Sequence, residues 1–323
     1  MANQNLPRVL LLLPPMVSSE FQRHYSNKFH FLNLSSLPLR QFIATGDHDP
    51  SSITALICYG GQPLNADALG LFPSLRLVLT PSSGTDHIDL SECGRRGVQV
   101  AGIGNLFSED VADLAVGLLI DVVTKISAAD RYLRRHVPPP WNFPLGSKLG
   151  DKKVGIIGLG KIGLEVAHRL VKGFGCTVLY HSRSKKPFVS YPFYGSVVEL
   201  ATNSDVLVLC CELNDQTRHM INREVMLALG KEGIIINVGR GALIDEKELL
   251  KCLMDGEVGG AGLDVFEGEP HVPKEFFGLD NVVLSPHLAA LTSESYMGMC
   301  QLMAHNLEAF FSNKPLITPV IVD

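Results

Sequence analysis

Short apolar runs alternate with helix-length amphipathic stretches along most of the chain. In the first third, Val9–Leu13, Phe29–Leu34, Ile53–Tyr59, Leu75–Thr80 and Val98–Ile103 read as buried strands separated by helical or turn segments. This spacing predicts a parallel α/β sheet, because neighbouring parallel strands need a crossover of helix length. From Ser108 the period changes. Val111, Ala112, Leu114, Ala115, Leu118 and Leu119 form one apolar face, Ser108 suits an N-cap, and Glu109 and Asp110 suit the positive first turn. One helix is predicted from Ser108 to about Arg135, roughly 40 Å long at ~1.5 Å per residue. Pro138-Pro139-Pro140 closes it.

The alternation resumes at Lys152-Lys153-Val154-Gly155-Ile156-Ile157-Gly158-Leu159-Gly160-Lys161-Ile162-Gly163. Here an apolar run enters three glycines at G-x-G-x-x-G spacing, which reads as strand, tight turn and helix start. Gly158 suits the turn, Gly160 a close backbone approach to a pyrophosphate, and Gly163 close packing of helix on strand. Further strands are predicted at Thr177–His181, Val206–Cys211, Ile234–Val238, Ala261–Phe266 and Val282–Leu284, with a helix at Glu246–Met254. A last helix, about Ser293–Phe311, returns to the first region. The predicted fold class is α/β with two domains. A doubly wound Rossmann-type dinucleotide-binding domain over residues 104–288 is inserted into a smaller domain of residues 1–103 and 289–323.

Composition narrows the function. The formal net charge is -5, and Lys and Arg gather into nothing longer than pairs such as Arg134-Arg135 and Lys185-Lys186, so no nucleic-acid footprint is expected. Seven cysteines without a C-x-x-C pair indicate neither a disulfide framework nor a zinc site, and no metal is expected. The run Val9–Leu13, closed by Pro14-Pro15, is too short for a signal peptide or a membrane span. A cytoplasmic protein without a membrane partner is the expectation.

The second strand of a dinucleotide domain normally ends in an acid that holds the adenosine ribose. Here Val178-Leu179-Tyr180 runs into His181-Ser182-Arg183-Ser184-Lys185-Lys186, which holds no acid. A carboxylate would repel a 2′-phosphate, whereas Ser182, Arg183 and Ser184 would donate hydrogen bonds to one. NADP(H) is therefore favoured over NAD(H). A solvated basic loop is the plain alternative.

Three groups follow later strands of the same sheet: Arg240, Glu269 and His287. Strand ends on one edge converge, so these side chains could meet beside a nicotinamide. An arginine fork matches a carboxylate and a neighbouring carbonyl, and a carboxylate-backed histidine can protonate a developing alkoxide. Each also has an ordinary alternative, namely a surface ion pair, a polar loop and a turn residue after Pro286. In the first region Gly60-Gly61 and Ser83-Gly84 follow predicted strands where ligands bind in such sheets, and bare turns are the alternative. Trp141, the single tryptophan, reads as a packing anchor.

Gly158-Leu159-Gly160-Lys161-Ile162-Gly163, Asn237-Val238-Gly239-Arg240-Gly241, Gly262-Leu263-Asp264-Val265-Phe266-Glu267-Gly268-Glu269-Pro270 and Ser285-Pro286-His287 resemble the D-isomer-specific 2-hydroxyacid dehydrogenase family. The resemblance covers essentially the whole chain. Tyr180–Pro187 and Asn313-Lys314-Pro315-Leu316 resemble its plant hydroxyphenylpyruvate and glyoxylate/hydroxypyruvate reductases, which prefer NADPH. It implies a smaller flavodoxin-like substrate domain and a homodimer built on the helix from Ser108. Arg240 would bind the 2-oxo acid, His287 would donate the proton and Glu269 would pair with His287. Gly158, Gly160, Lys161, Ile162, Gly163, Val238, Gly239, Arg240 and Asp264 would line the cofactor, with Asp264 near the nicotinamide amide. Backbone amides around Gly60, Gly61, Ser83 and Gly84 would take the substrate carboxylate, and Trp141 would reach the neighbouring subunit's site. Two segments depart from many family members: Leu288-Ala289-Ala290-Leu291 after the histidine, and Glu212-Leu213-Asn214 after the fourth strand.

The expected reaction is NADPH-dependent reduction of glyoxylate, hydroxypyruvate or hydroxyphenylpyruvate to the D-2-hydroxy acid. A dinucleotide-sensing interaction protein, corepressor-like and on the same fold, is the alternative.

Overall fold

The computed structural model describes residues 6–34, 39–44, 49–135 and 143–321. Two compact units result, Met1–Phe107 with Ser293–Asp323, and Ser108–Thr292. Both changes of unit fall at the first residue of a helix.

The first unit runs β1 (Arg8–Leu12), α1 (Pro15–Tyr25), β2 (His30–Asn33), α2 (Leu39–Ala44), β3 (Ala55–Cys58), α3 (Ala66–Gly70), β4 (Leu77–Leu79), α4 (Leu90–Arg96) and β5 (Gln99–Ala101). All its strands pair in parallel in the order β2-β1-β3-β4-β5, the flavodoxin-like order. The C-terminal helix Ser293–Phe311 lays Met303, Ala304, Leu307 and Phe310 inward and touches α1 and β4. Beyond it the tail covers the open edge of β5. Val320 N–H donates to the Val100 carbonyl at 2.8 Å, and Pro319 bridges Ala101.

The second unit opens with α5 (Ser108–Thr124) and α6 (Ile126–Arg134), where the sequence predicts one helix. Lys125 breaks it in a left-handed conformation, φ 62°. The Asp121 carboxylate reaches forward to the Ser127 N–H at 2.7 Å and to its hydroxyl, capping a new helix start instead of continuing the old one. Trp141 lies outside the described residues.

There follow β6 (Lys153–Ile157), α7 (Lys161–Phe174), β7 (Thr177–His181), α8 (Val197–Thr202), β8 (Val206–Leu209), α9 (Arg223–Leu229), β9 (Ile234–Asn237), α10 (Glu246–Met254), β10 (Gly260–Leu263) and β11 (Val282–Leu284). The parallel sheet has the order β11-β10-β9-β8-β6-β7. Outside β7, Phe193 makes a parallel bridge to Tyr180. Counted as a third strand, it completes the dinucleotide-binding order 3-2-1-4-5-6 with one further strand. The direction of the chain reverses between β6 and β8, and ligands bind at the strand C-termini of such a crevice.

Packing explains why β10 reads Gly-Ala-Gly-Leu. Ala261 and Leu263 enter the core cluster shared with Leu249, Leu253 and Phe276. Gly260 and Gly262 face α5, where added Cβ atoms would stand 2.8 Å from Val122 Cγ1 and 3.0 Å from Leu118 Cβ. The bare face lets α5 approach the sheet. Among the described residues no helix is long and apolar enough to cross a membrane.

Candidate active site

Strand register sets the site. Ile157, Leu209, Asn237, Leu263 and Leu284 form one row across β6, β8, β9, β10 and β11. Parallel strands lie roughly 4.8 Å apart, so the loops leaving this row share one edge. Gly158 leaves β6 with φ 94°, and an added Cβ would stand 2.6 Å from the Cys211 backbone nitrogen. Only glycine fits both demands. Gly163 sits against the Gly158 carbonyl, which brings α7 onto the strand.

Nothing lies within 4 Å of a Cβ placed on Gly160, the N-cap of α7, and no side chain caps that helix. Its first N–H groups therefore keep their capacity for an anion, with Lys161 and Ile162 in the first turn. These residues fit a dinucleotide pyrophosphate. On β7 the Gly158 N–H donates to the His181 carbonyl at 2.9 Å, and His181 Nδ1 lies 3.0 Å from the Tyr194 carbonyl oxygen. Ser182 is half-buried, and Arg183 and Ser184 are exposed. The Ser182 hydroxyl donates to the Ser184 carbonyl at 2.7 Å, closing the turn that displays Arg183.

From β9 the chain enters Asn237-Val238-Gly239-Arg240-Gly241. Asn237 is fully buried. Its amide donates to the Arg240 carbonyl at 2.9 Å, and its Oδ1 accepts from the Gly239 N–H at 3.0 Å. Gly241 lies against the Phe266–Glu267 backbone with no room for a Cβ. The Arg240 loop is thereby pressed onto the loop that carries Glu269. Arg240 is half-buried and donates to the Gly239 carbonyl at 2.9 Å.

Glu269 is held at both oxygens. Oε1 accepts from the Phe266 N–H at 2.9 Å, and Oε2 lies 2.8 Å from His287 Nδ1. Burial pushes its carboxyl upward. The hydrogen bonds from His287 and Phe266, with the charges of His287 and Arg240, outweigh burial and hold it below the usual carboxylate range. Neighbouring Glu267 is fixed in turn: His219 Nε2 meets its carboxylate at 2.8 Å, and its N–H donates to Glu246 at 3.0 Å.

His287 has φ 56°, an unusual backbone for a non-glycine residue. Asp264, 1% exposed, explains how it is kept. Its carboxylate accepts from the Ser285 hydroxyl at 2.6 Å, the Leu288 N–H at 2.9 Å and the Ala289 N–H at 3.1 Å, while its carbonyl accepts from the His287 N–H at 2.7 Å. Leu288-Ala289 thus serves through backbone. In the other departing segment Asn214 closes the loop on itself, accepting from the Gln216 and Thr217 N–H groups at 3.0 and 3.2 Å.

Arg240, Glu269 and His287 therefore stand beyond three adjacent strands, with a histidine–carboxylate pair formed and an arginine charge acting on the same carboxylate. Such a set can orient a carboxylate-bearing substrate and supply a proton at a carbonyl oxygen. The family description "D-isomer specific 2-hydroxyacid dehydrogenase, NAD binding domain" matches residues 116–289. The chain belongs to this family. Its members are oxidoreductases. It is 49% identical to a glyoxylate/hydroxypyruvate reductase of Arabidopsis thaliana over 100% of both chains. It is 45% identical to a hydroxyphenylpyruvate reductase of Plectranthus scutellarioides, over 97% of this chain and 98% of that one. The crystal structure of an NADPH-dependent glyoxylate/hydroxypyruvate reductase from Sinorhizobium meliloti, in complex with NADP and malonate, superposes with a TM-score of 0.88 at 32% identity. That match covers 98% of this chain and 97% of the other.

In the first unit, Gly60-Gly61 follows β3 and Ser83-Gly84 follows β4, so both loops leave neighbouring strands of one sheet. Gly61 takes the space beside the Tyr59 ring, and buried Thr80 and His87 meet at 3.0 Å across the base of the second loop. Asn237 and Gly241 belong to the motif around Arg240, but sequence alone assigns them no role. The available signals were a polar residue ending an all-isoleucine strand and a glycine on each side of Arg240.

Proposed function

We propose that this chain reduces a small 2-oxo acid to its D-2-hydroxy acid with NADPH. The observation that carries this is the 2.8 Å contact between His287 Nδ1 and Glu269, on the strand edge that also presents Arg240. The Gly158–Gly163 turn would hold NADPH, which would supply the hydride for the carbonyl carbon. The Arg240 fork holds the substrate carboxylate and the adjacent carbonyl oxygen. Glu269 keeps the Nδ1 proton of His287, which leaves Nε2 to deliver its proton to that oxygen. Backbone amides at Gly60, Gly61, Ser83 and Gly84 of the first unit are assigned to substrate binding.

Gly158, Gly160, Lys161, Ile162, Gly163, Val238 and Gly239 are assigned to the dinucleotide, and Arg183, the Ser184 hydroxyl and the Ser182 backbone N–H to its 2′-phosphate, the Ser182 hydroxyl being already donated to the Ser184 carbonyl. The missing acid after β7 supports NADPH, as does the NADP bound to the NADPH-dependent Sinorhizobium meliloti relative. The relatives' names support glyoxylate, hydroxypyruvate and hydroxyphenylpyruvate as the substrates to test. Initial rates with these three acids, each with NADPH and NADH, are the test. The expected result is a higher kcat/KM with NADPH for whichever acid is turned over. No turnover of any acid would overturn the enzymatic role in favour of a sensor, and equal rates with both cofactors would overturn the cofactor preference.

A further inference from the structure

The loop assigned to the 2′-phosphate is built around a residue that would never touch it. Tyr180 is fully buried in β7, on the opposite face from Leu179. Three parts of the cofactor end meet on it. Its backbone pairs with Ile156 in the strand that leads into the glycine turn. On the other side its N–H donates to the Pro192 carbonyl and its carbonyl accepts from the Tyr194 N–H, both at 2.9 Å. Its ring lies 5.4 Å from that of Phe193. The phenol oxygen accepts the Lys186 N–H at 2.7 Å.

That last bond ties the far end of Ser182-Arg183-Ser184-Lys185-Lys186 back to the strand from which it departs, while Ser182 closes the near end on the Ser184 carbonyl. An exposed loop of this length would otherwise sample many backbone states, and ordering it on binding costs affinity. A ring of tyrosine's size would fill the same core as phenylalanine. The hydroxyl is the added element, and it is spent on the loop.

We infer that the Tyr180 hydroxyl is a positioning group for cofactor choice, pre-forming the Ser182–Lys186 loop so that Arg183 meets a 2′-phosphate. The inference rests on the NADPH assignment above. Tyr180→Phe removes the hydroxyl and keeps the ring. Loss of one such hydrogen bond corresponds to about a three- to tenfold effect. KM for NADPH should rise by about that factor while kcat with NADPH and both constants with NADH stay unchanged. In an Arg183→Ala background the substitution should raise KM for NADPH by a smaller factor, because the loop has then lost its cation and has less to present.

A Tyr180→Phe enzyme with unaltered NADPH kinetics would overturn the inference. So would one that loses activity equally with both cofactors, since the hydroxyl would then serve the fold. Arg183→Ala alone separates the two levels. If it leaves the cofactor preference unchanged, the NADPH assignment itself fails. If it shifts the preference and Tyr180→Phe does not, the role of Tyr180 alone fails.

Discussion

The His287–Glu269 pair divides one task between two residues. His287 is half-exposed, so its imidazole can reach a substrate, while Glu269 is anchored by the Phe266 N–H and cannot swing away. Removing either end of the reactive set should leave the fold and remove the chemistry. His287→Ala and Arg240→Ala are each expected to lower kcat/KM by about 10²–10⁴-fold, with thermal melting within a few degrees of wild type. Wild-type-like rates in either variant would exclude its assigned role. The depressed Glu269 carboxyl sets a sign for pH. Its stabilising contribution is present above the unfolded carboxyl's value and is lost only as pH falls through the lower folded value. The carboxylate that pairs with His287 thus persists into acid. Glu269→Gln withdraws the carboxylate that holds His287 Nδ1 at 2.8 Å. The reductive kcat/KM should then fall by about tenfold or more, and an unchanged rate would count against the proton-donor pair.

Among the elements, β10 and α5 show how a site is held by what is absent. Gly260 and Gly262 leave one face of the strand bare, α5 fills the space, and β10 carries Asp264 and the Glu269 loop beyond its end. Gly262→Val would drive methyl groups toward Leu118 and Ile236, which an added Cβ already approaches at 3.0 and 2.8 Å. Overpacking of this kind is expected to cost about 1–3 kcal/mol. Gly173, in the last turn of α7, has nothing within 4 Å of an added Cβ, so Gly173→Ala should stabilise by up to about 0.5–1 kcal/mol through backbone entropy alone. Urea unfolding of the two variants should move the midpoint in opposite directions. Two falls would show that Gly173 is not an open helix position.

The whole molecule pairs a continuous unit with a discontinuous one. Ser108–Thr292 contains every strand of its sheet and its own core, whereas the other unit needs the C-terminal helix and tail, with Thr318 and Val320 bonded back to Gly102 and Val100. A fragment covering residues 108–292 is therefore expected to fold cooperatively and to bind NADPH, followed by cofactor fluorescence, without reducing any 2-oxo acid. A fragment that stays unfolded would show that its core depends on the remaining chain.

The strands, the last helix and the glycine turn were legible from the sequence because each rests on local periodicity or on a steric demand only glycine meets, as at Gly158. Arg240, Glu269 and His287 could be named as candidates because parallel strands place their C-terminal loops on one edge. Other features depend on partners distant in sequence or on competing bonds that periodicity does not register. Lys125 breaks the predicted long helix because Asp121 prefers Ser127, a choice between two hydrogen-bonding schemes that one apolar face satisfies equally well. The third strand is reduced to a bridge between Phe193 and Tyr180, held by pairing to a distant segment. His287 keeps its left-handed backbone because Asp264, a strand away, gathers Ser285, Leu288 and Ala289 around it. Sequence determined which chemical groups leave the sheet edge and in what order; tertiary structure decided which of them touch, since a hydrogen bond between strand-end loops is set by register and packing across the sheet.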